Sequence, residues 1–595
     1  MECIALTLWK VLSKRPLVPN ESIRPLTNIA EGETRMNVER KNLSADVLVI
    51  GGGIGGLTAA CSIKECNPDV DVLILEKQTA GYSGKANKGG GVLQYFDLEH
   101  MNPMDFVGFH ANTVGAFFGD QDLMLRYVSM NHEMLEKLES WGVRVPRDEK
   151  GSFRVVRTGP MTGMIGVDLD ITLKVRATAT RLGVRIMDKI TMTDLLTAEG
   201  KIAGATAYSI LDGTFYTVSA KAVVLATGSQ DYRLVPMWSS ARGDGIAAAY
   251  RAGVEMRNPE FGNFAQLLKK RTHQEIVFGE NVMYNGLGEN ITKNFRRFRE
   301  PDINSNAIAE WYNEMSAGRG PVVLHTQESG ETKNETMMFT LWDRPYGLPF
   351  WETNFRKCAE SGDEPEVVPT LIGEQSPVKV GHDMQTNVPG LFAIGDVSYC
   401  GSTLPGAVPA PPGRNRGSGI LNAVFAGILC AQPAIDAALS SSQPQLNDKQ
   451  VEASYARTYA PLERTEGIHP KVIMDKVLQI MGPMENSVYM NEYRLTIALR
   501  KLEEVKKLVP QMKADDFHWL LTCHEAEAGV LCAEMQLRAS LMRKESRGWF
   551  LREDHPQIDN QNFLKYILVK NMDGEMVFST EDVPVERWPI KPPMM

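Results

Sequence analysis

The sequence predicts an α/β fold wound around a parallel sheet of the Rossmann-like dinucleotide-binding type. Three observations predict it. A short apolar run, Ala45 to Ile50, enters a glycine-rich turn and then a helical stretch, Leu57 to Lys64. A second apolar run, Val70 to Leu75, ends in an acid, Glu76. Two later strand-like runs, Ala222 to Ala226 and Leu391 to Ile394, end in Thr227-Gly228 and Gly395-Asp396.

Each element has its own justification. The turn Gly51-Gly52-Gly53-Ile54-Gly55-Gly56 meets the spacing G-x-G-x-x-G at Gly51, Gly53 and Gly56. Gly51 makes the turn tight, Gly53 lets the backbone approach a pyrophosphate, and Gly56 lets the helix pack on its strand. The helix N-terminus then offers free N–H groups and a partial positive charge to the phosphates. Glu76 stands where a carboxylate accepts the ribose hydroxyls. This pattern alone fits either FAD or NAD. The later segments decide it: Ala222–Gly228, Gly243-Asp244-Gly245 opening a helix, and Val388–Asp396 lie far along the chain. One site assembled from such distant segments needs a long ligand, and FAD is long enough.

Composition bounds the rest. The chain has 595 residues, 43% apolar and 23% charged, which excludes a disordered, collagenous or coiled-coil protein. A net charge of -9 argues against a nucleic-acid partner. The most apolar stretch, Gly419 to Ala438, carries Asn422, Gln432 and Asp436 and reads as a buried helix stopping near Pro433, so no direct membrane insertion is expected. Eight cysteines without a C-x-x-C pair fit a reducing, cytoplasmic setting and cannot hold an iron–sulfur cluster in this chain. No H-E-x-x-H occurs, and no metal site is expected. Residues 1–44 are read as a disordered tail or a misassigned start.

Beyond the glycine turn and Glu76, the segments Tyr82-Ser83-Gly84, Gly89-Gly90, Gly243-Asp244-Gly245, Pro389-Gly390-Leu391-Phe392 and Gly395-Asp396 resemble the fumarate reductase/succinate dehydrogenase flavoprotein superfamily. Glu545-Ser546-Arg547-Gly548 and Arg552–Pro556 resemble the C-terminal signature of its multisubunit members. Ser83-Gly84 stands where succinate dehydrogenases carry Ser-His, whose histidine bonds the flavin. It looks instead like the adenylylsulfate (APS) reductase alpha-subunit branch, as does Gly318–Thr326, and so implies non-covalent FAD. The implied cofactor set is Gly51, Gly53, Gly55, Gly56, Glu76, Lys77, Ser83, Gly84, Asn87, Gly89, Gly90, Thr227, Gly228, Asp244, Gly395, Asp396 and Ser418. Lys85 or Lys88 is expected to face the phosphates.

The substrate motifs depart from the family. Ala265 replaces a dicarboxylate-binding histidine, Pro301–Asn304 replaces the segment of the proton-donating arginine, and the arginine that binds the APS ligand falls near Leu267. The catalytic candidates are Arg416 and Arg414, which precede a helix start, with His382 and Arg547. Arg416 resembles the arginine that clamps a substrate carboxylate; for Arg547 an ion pair is the competing reading.

The resemblance implies an FAD domain split into 45–257 and 372–440, a capping domain 258–371, a helical domain 441–545 and an extension 546–595. Leu495, Leu499, Leu502, Val505 and Val509 hold helical spacing up to Pro510, and Trp519–Arg543 is a second helix. The implied activity is exchange of a hydride or electron pair between FAD and a small anionic substrate, with electrons relayed by a ferredoxin-like iron–sulfur subunit. The alternatives are a fumarate-reductase-like reductase of an activated C=C bond and a non-catalytic electron-transfer subunit.

Overall fold

The computed structural model describes the chain from residue 38 onward, except 87–91, 113–115, 158–160, 168–169, 233–240, 263, 272–273, 276–281, 295–302, 329–359, 374, 400–417, 548–549 and 594–595. The first strand, β1 (Arg40–Ile50), feeds helix α1 (Ile54–Cys66) and strand β2 (Val72–Glu76). Helix α2 (Gln121–Ser129) follows, then β3 (Arg185–Asp188), β4 (Ile190–Ala198), β5 (Lys201–Ser209) and β6 (Phe215–Leu225). Helix α3 (Asp244–Arg251) leads to β7 (Met256–Arg257). Strand β8 (Phe264–Lys269), helix α4 (Ile303–Ser316) and strand β9 (Val367–Gly373) lie in the expected cap. The chain returns through β10 (Val378–Lys379), β11 (Leu391–Ala393) and β12 (Ser398–Tyr399). Helices α5 (Ser418–Leu439), α6 (Asp448–Glu463), α7 (Pro470–Met481), α8 (Glu492–Lys506) and α9 (Phe517–Met542) follow, before the hairpin β13 (Lys565–Met572) and β14 (Glu575–Asp582).

The seven-stranded main sheet runs β3-β2-β1-β6-β5-β4, and β6 also pairs β11. Strand β6 serves two neighbours on one edge. Its first half, Phe215–Ser219, pairs antiparallel with β5, and its end, Val223–Leu225, pairs parallel with β11. The strands around β1 are parallel and read as continuous apolar runs because both faces are covered. Val47, Leu48, Val49, Val223 and Val224 are fully buried.

Two expectations shift. Strand β1 begins at Arg40, so residues 40–44 are not tail; they pair with Phe215–Ser219 across the sheet. Residues 1–37 lie outside the described residues. Helix α5 runs through Pro433 to Leu439 rather than stopping there. A proline inside a helix removes one backbone hydrogen bond at a cost of about 3 kcal/mol. Beyond it Ala434, Ile435 and Ala438 are buried, and burying one large aliphatic side chain returns ~1.5–3 kcal/mol. This helix is long and apolar enough to cross a membrane by length and composition, yet 67% of its apolar 18-residue stretch is buried inside the protein. It lies on α1 so closely that a Cβ on Gly427 would meet Thr58 at 2.8 Å.

The cap and the C-terminal extension join the rest through strands. Strand β9 pairs antiparallel with β8 and crosses the expected 371/372 boundary. The second sheet runs β12-β10-β7-β13-β14, so the C-terminal hairpin is built onto strands of the central domain.

Candidate flavin site

The glycine turn has the geometry that the spacing predicts. Gly51 adopts φ +109, closed to ordinary side chains, and a Cβ on Gly56 would lie 2.0 Å from the Gly51 carbonyl oxygen. Gly53 is the N-cap of α1, leaving the first N–H groups of the helix without a side-chain partner, and Gly55 faces Ala423 of α5. Glu76, at the end of β2, is buried. Its Oε2 accepts from the Gly52 N–H and its Oε1 from the Gln78 N–H, both at 2.7 Å. An ionised carboxylate has about four lone-pair sites, so two remain for ribose hydroxyls.

The other strand ends converge on this turn. A Cβ on Gly84 would lie 3.6 Å from Gly53 Cα, which brings Ser83-Gly84 against the pyrophosphate turn. Thr227-Gly228 follows β6, and a Cβ on Gly245 would collide with the Thr227 side chain. Gly395 opens the short turn after β11, and Asp396 follows it. Ser83 Oγ and Thr227 Oγ1 are buried without a protein partner. Orphaned buried hydroxyls beside a helix N-terminus fit a polar extended ligand. The residues present therefore fit FAD, which when bound supplies the two-electron chemistry.

Two expected cofactor residues engage each other. Lys77 Nζ lies 3.0 Å from Asp244 Oδ1 and 3.3 Å from Glu525 Oε1. Burial pulls the Lys77 ammonium down, but Asp244 and Glu525 outweigh it and its pKa stands above the ordinary lysine value. Glu525 lies on α9, so this pair ties the helical domain to the foot of α3. The Lys85 ammonium donates to Ser229 and pairs with the buried Asp231 and with Asp396. Ser229 and Asp231 were not among the sequence candidates; their signal was a polar run directly after a strand end. Glu525 carried no comparable signal.

Of the catalytic candidates, His382 and Arg547 are among the described residues. Arg414 and Arg416 lie outside the described residues, as do Asn87, Gly89 and Gly90; Ser418 is the first residue of α5. His382 Nε2 bonds Asp120 Oδ2 at 2.7 Å, and Asp120 caps α2 through Leu123 N. The Asp120 carboxylate raises the His382 pKa above the ordinary imidazole value. Arg547 is 1% exposed. It donates to both oxygens of Glu545, to the Ala116 carbonyl and to Asn560, an interior ion-pair role. Leu267 belongs to the small apolar core of the cap with Met283, Val322 and Val367. Pro301 and Asp302 lie outside the described residues. Glu492, Asp554 and His555 could together hold a metal ion, but both Asp554 oxygens are already bonded by Arg552.

Residues 46–281 match the FAD binding domain family, and residues 476–594 match the fumarate reductase flavoprotein C-terminal family. The chain thus carries both an FAD binding domain and a fumarate reductase flavoprotein C-terminal domain, and it is similar to fumarate reductase flavoproteins. It is an FAD-dependent oxidoreductase. One relative is the 8-methylmenaquinol:fumarate reductase flavoprotein subunit of Wolinella succinogenes, 26% identical, with 92% of each chain covered. A quinol-fumarate reductase solved with menaquinol superposes with a TM-score of 0.77 at 21% identity, covering 93% of this flavoprotein and 100% of that chain. Adenylylsulfate reductase from Archaeoglobus fulgidus gives 0.74 at 21%, covering 92% and 96%. The fold is common to both branches and does not choose between them.

Proposed function

We propose that this flavoprotein is the catalytic subunit of a multisubunit oxidoreductase. It exchanges an electron pair between non-covalent FAD and a small anionic substrate, and a separate ferredoxin-like iron–sulfur subunit relays the electrons. The observation that carries this reading is the C-terminal region. It matches the fumarate reductase flavoprotein C-terminal family, and its hairpin is paired directly to β7 of the central domain. The five described cysteines, Cys61, Cys66, Cys430, Cys523 and Cys532, are all free thiols. That supports a cytoplasmic setting and electron relay from another chain. Arg416 remains the proposed anion clamp, because a guanidinium offers a carboxylate a planar fork. Glycine at position 84 has no nucleophile to bond the flavin, so acid precipitation is expected to release all of the yellow colour.

Reduction of fumarate itself is the second reading, favoured by relatives that bear that name. Ala265, set on β8 opposite Leu371, speaks against it, since alanine cannot bind a carboxylate. The deciding assay offers reduced viologen and fumarate to the purified protein. Turnover far below the ordinary enzymatic rate of ~10 per second is expected. Turnover at that rate would replace the first reading with the second.

A further inference from the structure

Lys85, Ser229, Asp231 and Asp396 meet beyond the carboxyl ends of β6 and β11, adjacent strands of the parallel part of the main sheet. In such sheets ligands bind outside the carboxyl ends of the strands. Lys85 Nζ donates to Ser229 Oγ at 2.8 Å and lies 3.2 Å from Asp231 Oδ1 and 3.4 Å from Asp396 Oδ2. Ser229 Oγ in turn donates to Asp231 Oδ1 at 2.8 Å. Asp231 is 1% exposed, and its other oxygen, Oδ2, has no hydrogen-bond partner.

Among the described residues, Lys85 lies against both Asp231 and Asp396, and every described donor to Asp231 converges on the same oxygen. A buried carboxylate oxygen without a donor is costly, and protonation turns that acceptor into an O–H donor. The other cation near Asp231 is Arg242, just ahead of α3, whose guanidinium also faces Glu525 of α9. Burial already pushes the Asp231 carboxyl above the ordinary carboxylate range, against the pull of Lys85.

We propose that Asp231, held by Lys85, is the proton-accepting group of the flavin site and takes up a proton at Oδ2 when the cofactor is reduced. A two-electron donor supplies two electrons, and the cofactor takes them with one proton and gains one negative charge. The Asp231 carboxylate takes a second proton from water and becomes a carboxylic acid. Two electrons and two protons enter, the net charge of the site is unchanged, and both protons leave on reoxidation. A like charge arriving nearby raises a carboxyl pKa, which is the coupling required. Asp396, which also pairs with Lys85, remains placed to accept from the cofactor. The inference rests on FAD binding at this cradle and is independent of the substrate.

The test is a redox titration of the purified FAD-loaded protein from pH 6.5 to 8.5, with dithionite and mediator dyes. A two-electron couple shifts ~30 mV per pH unit for each proton taken up. The wild type is expected to shift about 59 mV per pH unit, and Asp231→Asn about 30 mV. In Lys85→Met the carboxyl stays protonated in both redox states, so that slope also halves. Equal slopes in all three proteins overturn the proposal. Infrared difference spectra give a second readout. Reduction of the wild type should create a carboxylic-acid C=O band that is missing from both variants. A wild type without that band also overturns it, even if Asp231→Asn fails to hold FAD. Neither measurement uses a substrate, so failure of the fumarate reading leaves the result unaffected.

Discussion

The cofactor cradle and the C-terminal ionic core are both buried and polar, but they are built on opposite plans. The heart of the cradle comes from one short stretch, Gly51 to Gly56 and then Glu76 at the end of the next strand, and later strand ends close on it. Its polar groups meet backbone N–H groups, and several, such as Ser83 Oγ and Thr227 Oγ1, have no protein partner. The ionic core unites Glu260, Arg543, Glu545 and Arg547, all 0–1% exposed. Arg543 donates to Glu260 at 2.7 Å, to Glu545 at 2.9 Å, and to the carbonyls of Phe563 and Lys565. Phe118 lies under both guanidinium groups, 4.9 Å from that of Arg543 and 4.6 Å from that of Arg547. One region leaves valences open for a ligand; the other saturates its guanidinium groups within the chain. The first should therefore control flavin content, and the second the integrity of the fold.

The largest expected effect lies in the ionic core. Arg543→Ala strands Glu260 as a buried carboxylate without a cation. Breaking a buried pair from one side costs ~3–5 kcal/mol. The thermal midpoint should fall steeply, whereas Arg543→Met with Glu260→Gln should recover much of it. An unchanged midpoint in the single variant would erase the contrast between the two regions.

Glu76→Ala tests the cradle. It removes the acceptor of two backbone N–H groups and of the expected ribose hydroxyls. At ~2–3 kcal/mol for charge-assisted bonds, FAD affinity should fall ~30–100-fold, while the apoprotein midpoint falls less than in Arg543→Ala. Full flavin content after exhaustive dialysis of the variant would refute this role of the carboxylate.

The smallest effect belongs to a half-exposed pair at the edge of the C-terminal region. The His382 side chain is 47% exposed, and Asp120, its partner, also lies 3.4 Å from Arg587. The folded-state pKa of His382 is raised, chiefly by its hydrogen bond to Asp120. Its contribution is complete below the unfolded imidazole pKa, ~6.5, and is lost as pH rises through the folded value. Solvent screening holds it below ~1 kcal/mol. Urea midpoints of wild type and His382→Asn should differ slightly at pH 6 and converge as pH rises. A difference that grows with pH would reverse the sign and remove Asp120 as the cause.

The same division governs what was legible in the sequence. Gly51 and Gly56 are readable because a tight turn and a close strand–helix approach exclude a Cβ there, whereas Gly53 is readable from the motif spacing and has open space where a ligand would approach. Helices α8 and α9 and the turn at Met572–Glu575 follow from local periodicity and turn chemistry. Pro433 misled because the rule against interior proline is local, whereas the burial that carries α5 past it comes from distant residues. Lys85 is the sharper case. Nothing near it in sequence indicates whether it faces phosphate, solvent or carboxylate. Its partners Asp231 and Asp396 stand 146 and 311 positions later and meet it only because β6 and β11 are neighbours. Glu260 and Arg543 are 283 residues apart, and a carboxylate stays ionised in an apolar interior only when the fold delivers a cation to it. The sequence by itself determined the dinucleotide turn, through short-range steric and hydrogen-bonding demands, and pointed to FAD through the later strand-end motifs. Which charges meet was decided by tertiary structure alone, because the interaction of buried charges depends on distance and desolvation, and neither exists until the chain has folded.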